Sequence, residues 1–123
     1  MKAVATPNAP AAIGPYSQAI ISCGMVYTSG QIPLDPATGT VVATDIEGQA
    51  EQVCKNLQAV LVAAGTSIEK VVKTVCFLSD MNDFAGFNAV YARHFVSKPA
   101  RSCVAVKTLP KNVLCEVEAI AEL

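Results

Sequence analysis

Apolar residues recur first at steps of two and then at steps of three and four, and this change separates predicted strands from predicted helices. Residues 17–22 and 25–29 are short runs rich in β-forming side chains, and the Cys-Gly pair between them is typical of a hairpin turn. Residues 6–15 are expected to form an irregular arm. Residues 33–39 combine two prolines with a glycine, which predicts a turn.

Two segments carry apolar side chains at helical spacing. The run from Thr44 to Glu47 matches a capping box, which predicts that Thr44 begins the first helix, and Gly65 is placed to end it. Asp80 is placed to cap the second helix. The apolar stripes consist of Ile46, Ala50, Val53, Leu57, Leu61 and Ala64 in the first helix and of Phe84, Phe87, Tyr91 and Phe95 in the second.

Three further strands complete the predicted order β-β-α-β-α-β-β. They cover Val71–Leu78 and residues 101–107 and 113–121, with a turn at Pro110 between the last two. This order predicts an α+β fold in which two helices cover one face of a mostly antiparallel sheet. The length of 123 residues corresponds to a single domain.

The strand Val71–Leu78 is apolar on both faces, and two helices cannot cover both. Its residues predict one face with Val71, Val75 and Phe77 and another with Val72, Cys76 and Leu78. Charged residues are only 15% of the chain, against about 25% in an average domain. Both features indicate that a second copy of the chain covers part of the surface, and hence a homo-oligomer.

Composition excludes several classes of function. With 52% apolar residues the chain is not disordered, and a net charge of -1 provides no positive field for nucleic acid or an anionic membrane. No run approaches the roughly 18 apolar residues of a membrane helix. The five cysteines include no close pair for structural zinc or redox chemistry. Free thiols and the lack of an export signal in residues 1–16 predict a reducing compartment, most simply the cytoplasm.

Four of the nine basic residues lie within fourteen positions near the C-terminus. They either form a solvated rim or border a pocket for a small anion. These residues are Lys98, Arg101, Lys107 and Lys111.

No metal site is predicted. His94 is the only histidine, and no potential ligand follows it at a suitable helical spacing, so it is interpreted as a partly exposed residue near a helix C-terminus. Asp80 and Asp83 are interpreted as the start of a helix, and no glycine-rich phosphate loop is present.

The last two predicted strands carry the strongest candidate chemistry. Arg101 and Cys103 share one strand face, while Glu116 and Glu118 share the otherwise apolar face of the next strand. Such charges are costly to bury unless they are paired or used. One interpretation is an Arg-Glu ion pair at a subunit interface. The other is a guanidinium that binds a carboxylate ligand, with a glutamate nearby that handles a water or a proton.

Several motifs together resemble the Rid family, the reactive-intermediate imine/enamine deaminases, also called YjgF or L-PSP endoribonuclease-like proteins. The resemblance extends from about Ala5 to Ala121, and the Arg-Ser-Cys sequence is most similar to the deaminase subgroup. The motifs are Gly-Pro-Tyr-Ser-Gln-Ala at 14–19, Thr-Ser-Gly-Gln-Ile-Pro at 28–33, Pro-Ala-Arg-Ser-Cys-Val at 99–104, Leu-Pro at 109–110 and Glu-Val-Glu-Ala-Ile-Ala at 116–121.

The resemblance implies a single Rid-like domain of chorismate-mutase-like fold over residues 1–123, in a homotrimer with clefts between subunits. It implies hydrolysis of 2-iminobutanoate, 2-iminopropanoate and related imines from pyridoxal-phosphate enzymes to 2-oxo acids and ammonia, without a cofactor. In this comparison Arg101 matches the residue that binds the substrate carboxylate, and Glu116 matches the residue associated with the attacking water. The implied pocket lining is Tyr16, Ser29, Gly30, Asn88 and Cys103.

One segment departs from the family pattern. Residues 96–99 are shorter than is usual, and Lys98 stands where an aromatic residue commonly precedes the proline. This departure affects the expected size of the pocket but not the binding of a carboxylate.

Two other functions remain open at the level of sequence. A ribonuclease that inhibits translation would need a general base and a general acid, commonly histidines, and a row of basic residues along the RNA backbone. A chain with one histidine and a net charge of -1 fits these requirements poorly. A non-catalytic binder of small carboxylates, or a chaperone, would keep Arg101 and could dispense with Glu116.

Overall fold

The computed structural model describes residues 1–123 and contains a six-stranded sheet, a separate two-stranded hairpin and two α-helices. In the large sheet the strands lie in the order β1-β2-β3-β8-β6-β7, and only the pair β6–β7 is parallel. The predicted α+β fold, with two helices on one face of a mostly antiparallel sheet, is confirmed. The elements are β1 (Lys2–Val4), β2 (Ala19–Ser22), β3 (Met25–Thr28), β4 (Leu34–Asp35), β5 (Thr40–Val41), α1 (Ile46–Ala64), β6 (Val71–Leu78), α2 (Phe84–His94), β7 (Ala100–Ala105) and β8 (Cys115–Glu122).

The sequence did not predict β1 or the small hairpin β4–β5. Each of these strands has only two or three residues, which is too short for a period of two to be recognised. The hairpin is attached to α1 by Asn56, whose buried side-chain amide donates to the carbonyl groups of Ile32 and Leu34.

Helix α1 begins one residue later than the capping box predicted. Its N-cap is Asp45 rather than Thr44, and the Asp45 Oδ1 atom accepts a hydrogen bond from the backbone N–H of Gly48 at 3.0 Å. Either residue type can serve as an N-cap, so the spacing alone could not decide between them. The helix ends as predicted at Gly65, which has φ 92°, a left-handed conformation that costs glycine little.

Asp80 caps a short 3₁₀ turn, Met81–Asp83, instead of capping α2 directly. Its Oδ1 atom accepts from the N–H of Asn82 at 2.8 Å, and α2 follows from Phe84. The buried stripe of α2 is confirmed at Phe87 and Tyr91. Neither α-helix is both long and apolar enough to cross a membrane.

The core lies between the helices and one face of the sheet. Along β8, the alternate residues Cys115, Val117, Ala119 and Ala121 are buried, while Glu116 and the residues that alternate with it are only partly covered. The predicted division of β8 into an apolar face and a face with two glutamates is therefore confirmed.

Strand β6 departs from regular alternation at its start. A bulge between Val71 and Lys73 pairs Val71 with Ala121, so Val71 lies on the core face and not, as predicted, with Val75 and Phe77. An extra residue in one strand reverses the faces of the residues on either side of it.

The second face of the sheet has no helix over it. Large apolar side chains lie there with considerable exposure, including Tyr27 at 44% and Val104 at 48%, next to the partly exposed Val75, Phe77 and Ile120. We call this set the open face.

Candidate functional site

Arg101 lies on β7, and its side chain projects from the face of the sheet that the helices cover. Its Nη1 atom donates to the Oδ1 atom of Asn88 on α2 at 2.7 Å. The guanidinium carbon lies 4.7 Å from the centre of the Tyr91 ring and 5.5 Å from that of Phe84. One neutral amide and two aromatic rings therefore hold the guanidinium in place.

Tyr91 is itself fixed from the core. Its hydroxyl and the buried hydroxyl of Thr74 on β6 are 2.7 Å apart, and its ring stacks on Phe95 with 4.3 Å between the ring centres. Burial raises the pKa of the Tyr91 phenol, so it stays neutral. Thr74 on the sheet thus helps to fix Tyr91 on α2, and the Tyr91 ring in turn contacts the Arg101 guanidinium.

A cavity of about 460 Å³ opens beside Arg101. Two of its lining residues are cationic, and none is acidic. The lining consists of Asn88, Tyr91, Ala92, Phe95, Val96, Lys98, Pro99 and Arg101. We call it the Arg101 cavity.

Glu116 lies on β8 and borders a second cavity, of about 670 Å³, which we call the Glu116 cavity. Tyr16, Ser29 and Gly30 line it as well, so the structure brings together four of the residues singled out in the sequence. The remaining lining is Ile13, Thr28, Ile32, Pro110, Lys111 and Glu118.

The carboxyl group of Glu116 is half-buried and makes no hydrogen bond within the chain. Burial raises the pKa of Glu116 above its usual range, and the negative charge of Glu118 on the same strand face raises it further. Such a carboxylate holds a proton more readily than a solvated one, which suits a group that exchanges protons with a ligand.

The backbone around Ser29 places these groups. The Ser29 hydroxyl donates to the carbonyl of Ser17 at 2.6 Å, and the Ser29 N–H donates to the carbonyl of Gln18 at 2.9 Å. Gln18 is buried, and its side chain binds backbone groups of the N-terminal arm. Tyr16 at the end of that arm is 52% exposed and faces the Glu116 cavity.

The two candidate catalytic residues lie on opposite faces of the sheet. The turn predicted at Pro110 between the last two strands would make them neighbours in the sheet, and this is wrong, because β6 lies between β7 and β8. Arg101 pairs in register with Thr74, whereas Glu116 pairs with Phe77, three residues further along β6, or about 10 Å. Arg101 and Glu116 therefore form no ion pair within the chain, and each borders a different cavity.

Cys103 and the remaining basic residues do not all join these cavities. Cys103 lies on the same face as Arg101, packs against the core and lines neither cavity. Burial raises the pKa of its thiol, while the charge of Arg101 lowers it by a smaller amount. Lys98 lines the Arg101 cavity, Lys111 lines the Glu116 cavity and Lys107 lines neither.

His94 contacts Glu51 on α1 and borders no cavity. The contact with His94 is the main cause of a lowered pKa at Glu51. No group of three or more His, Cys, Asp or Glu side chains is placed to hold a metal ion.

Sequence reasoning missed Phe84, Tyr91 and Ile13 as parts of the candidate site. The two aromatic residues belong to the apolar stripe of α2, and this stripe predicts only a place in the core for them. The available signal was the helical spacing of Tyr91 from Asn88, three residues, which puts both side chains on one helix face. Ile13 lies in an irregular arm, where no periodicity indicates which residues face inward.

Comparisons with known proteins agree on one family. The family model described as Endoribonuclease L-PSP matches residues 6–123. The 2-iminobutanoate/2-iminopropanoate deaminase of Salmonella typhimurium is 52% identical, with 98% of this chain and 96% of that protein covered.

Two solved structures have the same fold over nearly their whole length. Escherichia coli TdcF with bound serine superposes with a TM-score of 0.95 at 46% identity, covering 100% of this chain and 99% of that one. YyfA of Yersinia pestis, described as a protein of unknown function in the conserved Rid protein family, has a TM-score of 0.96 at 50% identity, covering 99% and 98% of the two chains.

Proposed function

The chain belongs to the endoribonuclease L-PSP family, to which the Rid proteins belong, and from this premise we propose that it is an imine deaminase. It hydrolyses 2-iminobutanoate, 2-iminopropanoate and their enamine tautomers to 2-oxo acids and ammonia. The deaminase of Salmonella typhimurium, at 52% identity over 98% of this chain, supports the reaction class.

The observation that carries the proposal is the state of Glu116. A half-buried carboxylate with a raised pKa and no hydrogen-bond partner in the chain lines a cavity together with Tyr16, Ser29 and Gly30. A group that served only the stability of the fold would normally be paired. A carboxylate that is left unpaired, and whose pKa is raised above the usual range of a glutamate, is suited to orient a water and to take its proton.

The second requirement is a grip on the substrate carboxylate. The Arg101 guanidinium has no acidic partner within the chain; its one polar contact is the Asn88 amide. The remaining N–H groups can donate to a carboxylate in the planar, two-point geometry that arginine provides. The aromatic rings beneath it restrict its orientation before the ligand arrives.

We further propose that one active site combines two copies of the chain. The side chains of Arg101 and Glu116 project from opposite faces of one sheet. A substrate of four carbons therefore cannot contact both residues of the same chain. The open face, with its exposed apolar side chains, gives a second copy a surface to cover. We infer a homotrimer with clefts between adjacent copies, as the sequence resemblance implies, in which Arg101 of one copy would lie opposite Glu116 of the next.

The reaction follows from these positions. The protonated imine is already electrophilic at C2, so the chemistry requires no cofactor. A water oriented by Glu116 adds to C2, forming a C–O bond while its proton passes to the carboxylate. The proton then moves to the amino nitrogen, the C–N bond breaks and ammonia leaves, and the oxygen loses its proton to give the 2-oxo acid. Holding the reactants in this geometry supplies much of the rate.

The test is to generate 2-iminobutanoate in situ from threonine with a threonine dehydratase and to time the release of 2-oxobutanoate. We expect the protein to accelerate this release, and Glu116→Gln to lose about 100- to 10,000-fold of the acceleration, the usual contribution of a general base. Glu69→Gln is the matched control, because Glu69 is an exposed residue on the 3₁₀ turn Ile68–Lys70 and lines no cavity. Wild-type turnover by Glu116→Gln would refute the catalytic role and favour a carboxylate-binding protein.

The ribonuclease function suggested by the family description is the weaker candidate for this chain. His94, the only histidine, contacts Glu51 and lines neither cavity. RNA cleavage that requires Glu116 while imine hydrolysis does not would reverse this preference.

A further inference from the structure

The Arg101 cavity contains a second positive charge that the proposed reaction does not use. Lys98 comes directly after the turn at residues 96–97, which follows α2, and it lines the same cavity as Arg101. A 2-imino acid with an apolar side chain has one carboxylate, which Arg101 alone can bind. Lys98 therefore has no role in hydrolysing such a substrate.

The turn that presents Lys98 is defined by the backbone. The N–H of Lys98 donates to the carbonyl of Phe95 at 3.1 Å, and Lys98 has φ 53°. A left-handed residue other than glycine is uncommon and reverses the chain direction locally. Pro99 follows and limits the conformations of Lys98 from the other side. A tight turn between α2 and β7 thus brings Lys98 to the Arg101 cavity.

Neither cation is neutralised within the chain. The single pairing of oppositely charged side chains is that of Glu51 with His94, and no acidic residue lines the Arg101 cavity. Two like charges at one cavity repel each other and favour an anionic occupant that lies between them. An occupant with two negative groups neutralises both.

The remainder of the wall is apolar or aromatic. Tyr91, Phe95, Val96 and Pro99 line the same cavity as the two cations. Such a lining accommodates a short carbon chain and leaves the polar ends to the two basic side chains. The volume of about 460 Å³ exceeds that of a four- or five-carbon acid.

We propose that the Arg101 cavity selects dicarboxylic substrates, with Arg101 binding the carboxylate next to the imine and Lys98 binding the carboxylate at the far end. The preferred class is then the 2-imino acids of four or five carbons with a terminal carboxylate, and their 2-oxo products. This inference rests on the proposed function for its chemistry, but the binding of the dicarboxylate can be measured without turnover.

The experiment is calorimetric titration of the purified protein with 2-oxoglutarate and, separately, with 2-oxobutanoate. We expect the dicarboxylate to bind at least tenfold more tightly, and Lys98→Gln to remove about tenfold of that preference, the scale of a hydrogen bond between charged groups. Lys98→Arg should restore most of the preference, which separates loss of charge from damage to the turn.

Lys70→Gln serves as the control, since Lys70 is an exposed lysine that lines no cavity. Equal affinity for the two acids, or an equal loss in Lys98→Gln and Lys70→Gln, would overturn the inference. Inorganic phosphate binding as tightly as 2-oxoglutarate would also overturn it, because the cavity would then be a general anion site.

The result is distinguishable from a failure of the proposed function. If no imine is hydrolysed but 2-oxoglutarate binds through Lys98, the deaminase proposal fails and the dicarboxylate site stands. If 2-iminobutanoate is hydrolysed through Glu116 while Lys98→Gln binds both acids as the wild type does, the deaminase proposal stands and the dicarboxylate site fails.

Discussion

The carboxyl group of Glu116 occupies the space that a side chain at position 30 would need. A Cβ atom built on Gly30 falls 2.8 Å from the carboxyl carbon of Glu116, closer than real Cβ contacts come. The φ angle of Gly30 is not in the left-handed region, so the close approach to Glu116 is what favours glycine here. The segment with Ser29 and Gly30, directly after β3, thereby forms one wall against the candidate base.

Gly30→Ala should impair hydrolysis more than it impairs folding. The new methyl group displaces the Glu116 carboxylate by an ångström or so, and misplacement of that size costs roughly 100-fold in rate. The measurement is kcat/KM for 2-iminobutanoate beside the melting temperature. Gly24→Ala is the control, because Gly24 lies in the β2–β3 turn with φ 76° and no atom within 4 Å of an added Cβ. It should lower stability and leave the rate constants at wild-type values; the opposite pattern would contradict the role of the Gly30 contact.

Glu118→Gln should shift the pH profile of hydrolysis toward acid. In the proposed reaction Glu116 must be deprotonated to accept a proton from water, so we expect the rate to rise as pH increases through the pKa of Glu116. The charge of Glu118 contributes to the raised pKa of Glu116, and its removal lowers that pKa. Because burial is the larger cause, the acidic limb should move only part of the way to the usual glutamate range. An unchanged limb of kcat/KM, or one displaced to higher pH, would show that Glu116 is not the titrating base.

Mixed assemblies of Arg101→Ala and Glu116→Ala should recover activity that neither variant has alone. If each site takes Arg101 from one copy and Glu116 from the next, random assembly from equal amounts leaves about one site in four with both residues. Unfolding and refolding the mixture should therefore give about a quarter of the wild-type rate. The double variant Arg101→Ala/Glu116→Ala, refolded by itself, is the control, because it contains no intact site. If the mixture is as inactive as each variant alone, then either both residues of a site belong to one chain or one of them takes no part in the reaction.

The hydrogen bond between Thr74 and Tyr91 should appear as coupling in a double-mutant cycle. Tyr91→Phe leaves the buried Thr74 hydroxyl without its 2.7 Å partner, and Thr74→Val does the same to the tyrosine, at about 1–3 kcal/mol each. The double variant removes both groups and should cost less than the sum of the two single changes. Urea denaturation gives the free energies. Strictly additive values would mean that the two hydroxyl groups do not depend on each other.

The five thiols should differ widely in reactivity. Burial raises the pKa of Cys76 and of Cys115 to about 12 and raises that of Cys54 as well, whereas Cys23 is exposed in the β2–β3 turn. A disulfide reagent at neutral pH should therefore modify one thiol rapidly in the native protein and all five after denaturation. Cys23→Ser should remove the rapid phase. A rapid phase that persists in this variant would indicate that Cys103 is more accessible than its packing suggests.

Local patterns in the sequence were enough to predict both α-helices and the five longer strands, but not the short strands β1, β4 and β5. The helical spacing from Ile46 to Ala64 and the alternation along β8 both arise from neighbours in the chain, so a local pattern is enough to find them. The motifs around Tyr16, Gly30, Arg101 and Glu116 identified the family for the same reason, since each is a short run of adjacent residues.

The arrangement of these residues in space follows only from the assembled sheet. Strand pairing joins segments far apart in the chain, and it inserted β6 between β7 and β8. The registers of these pairings, Arg101 with Thr74 and Glu116 with Phe77, put Arg101 and Glu116 on opposite faces. The bulge at Val71 reversed one predicted face in the same way, by a pairing that no local pattern contains. Side-chain periodicity states which residues share a face of a strand, but the faces of two strands become comparable only when the sheet is assembled.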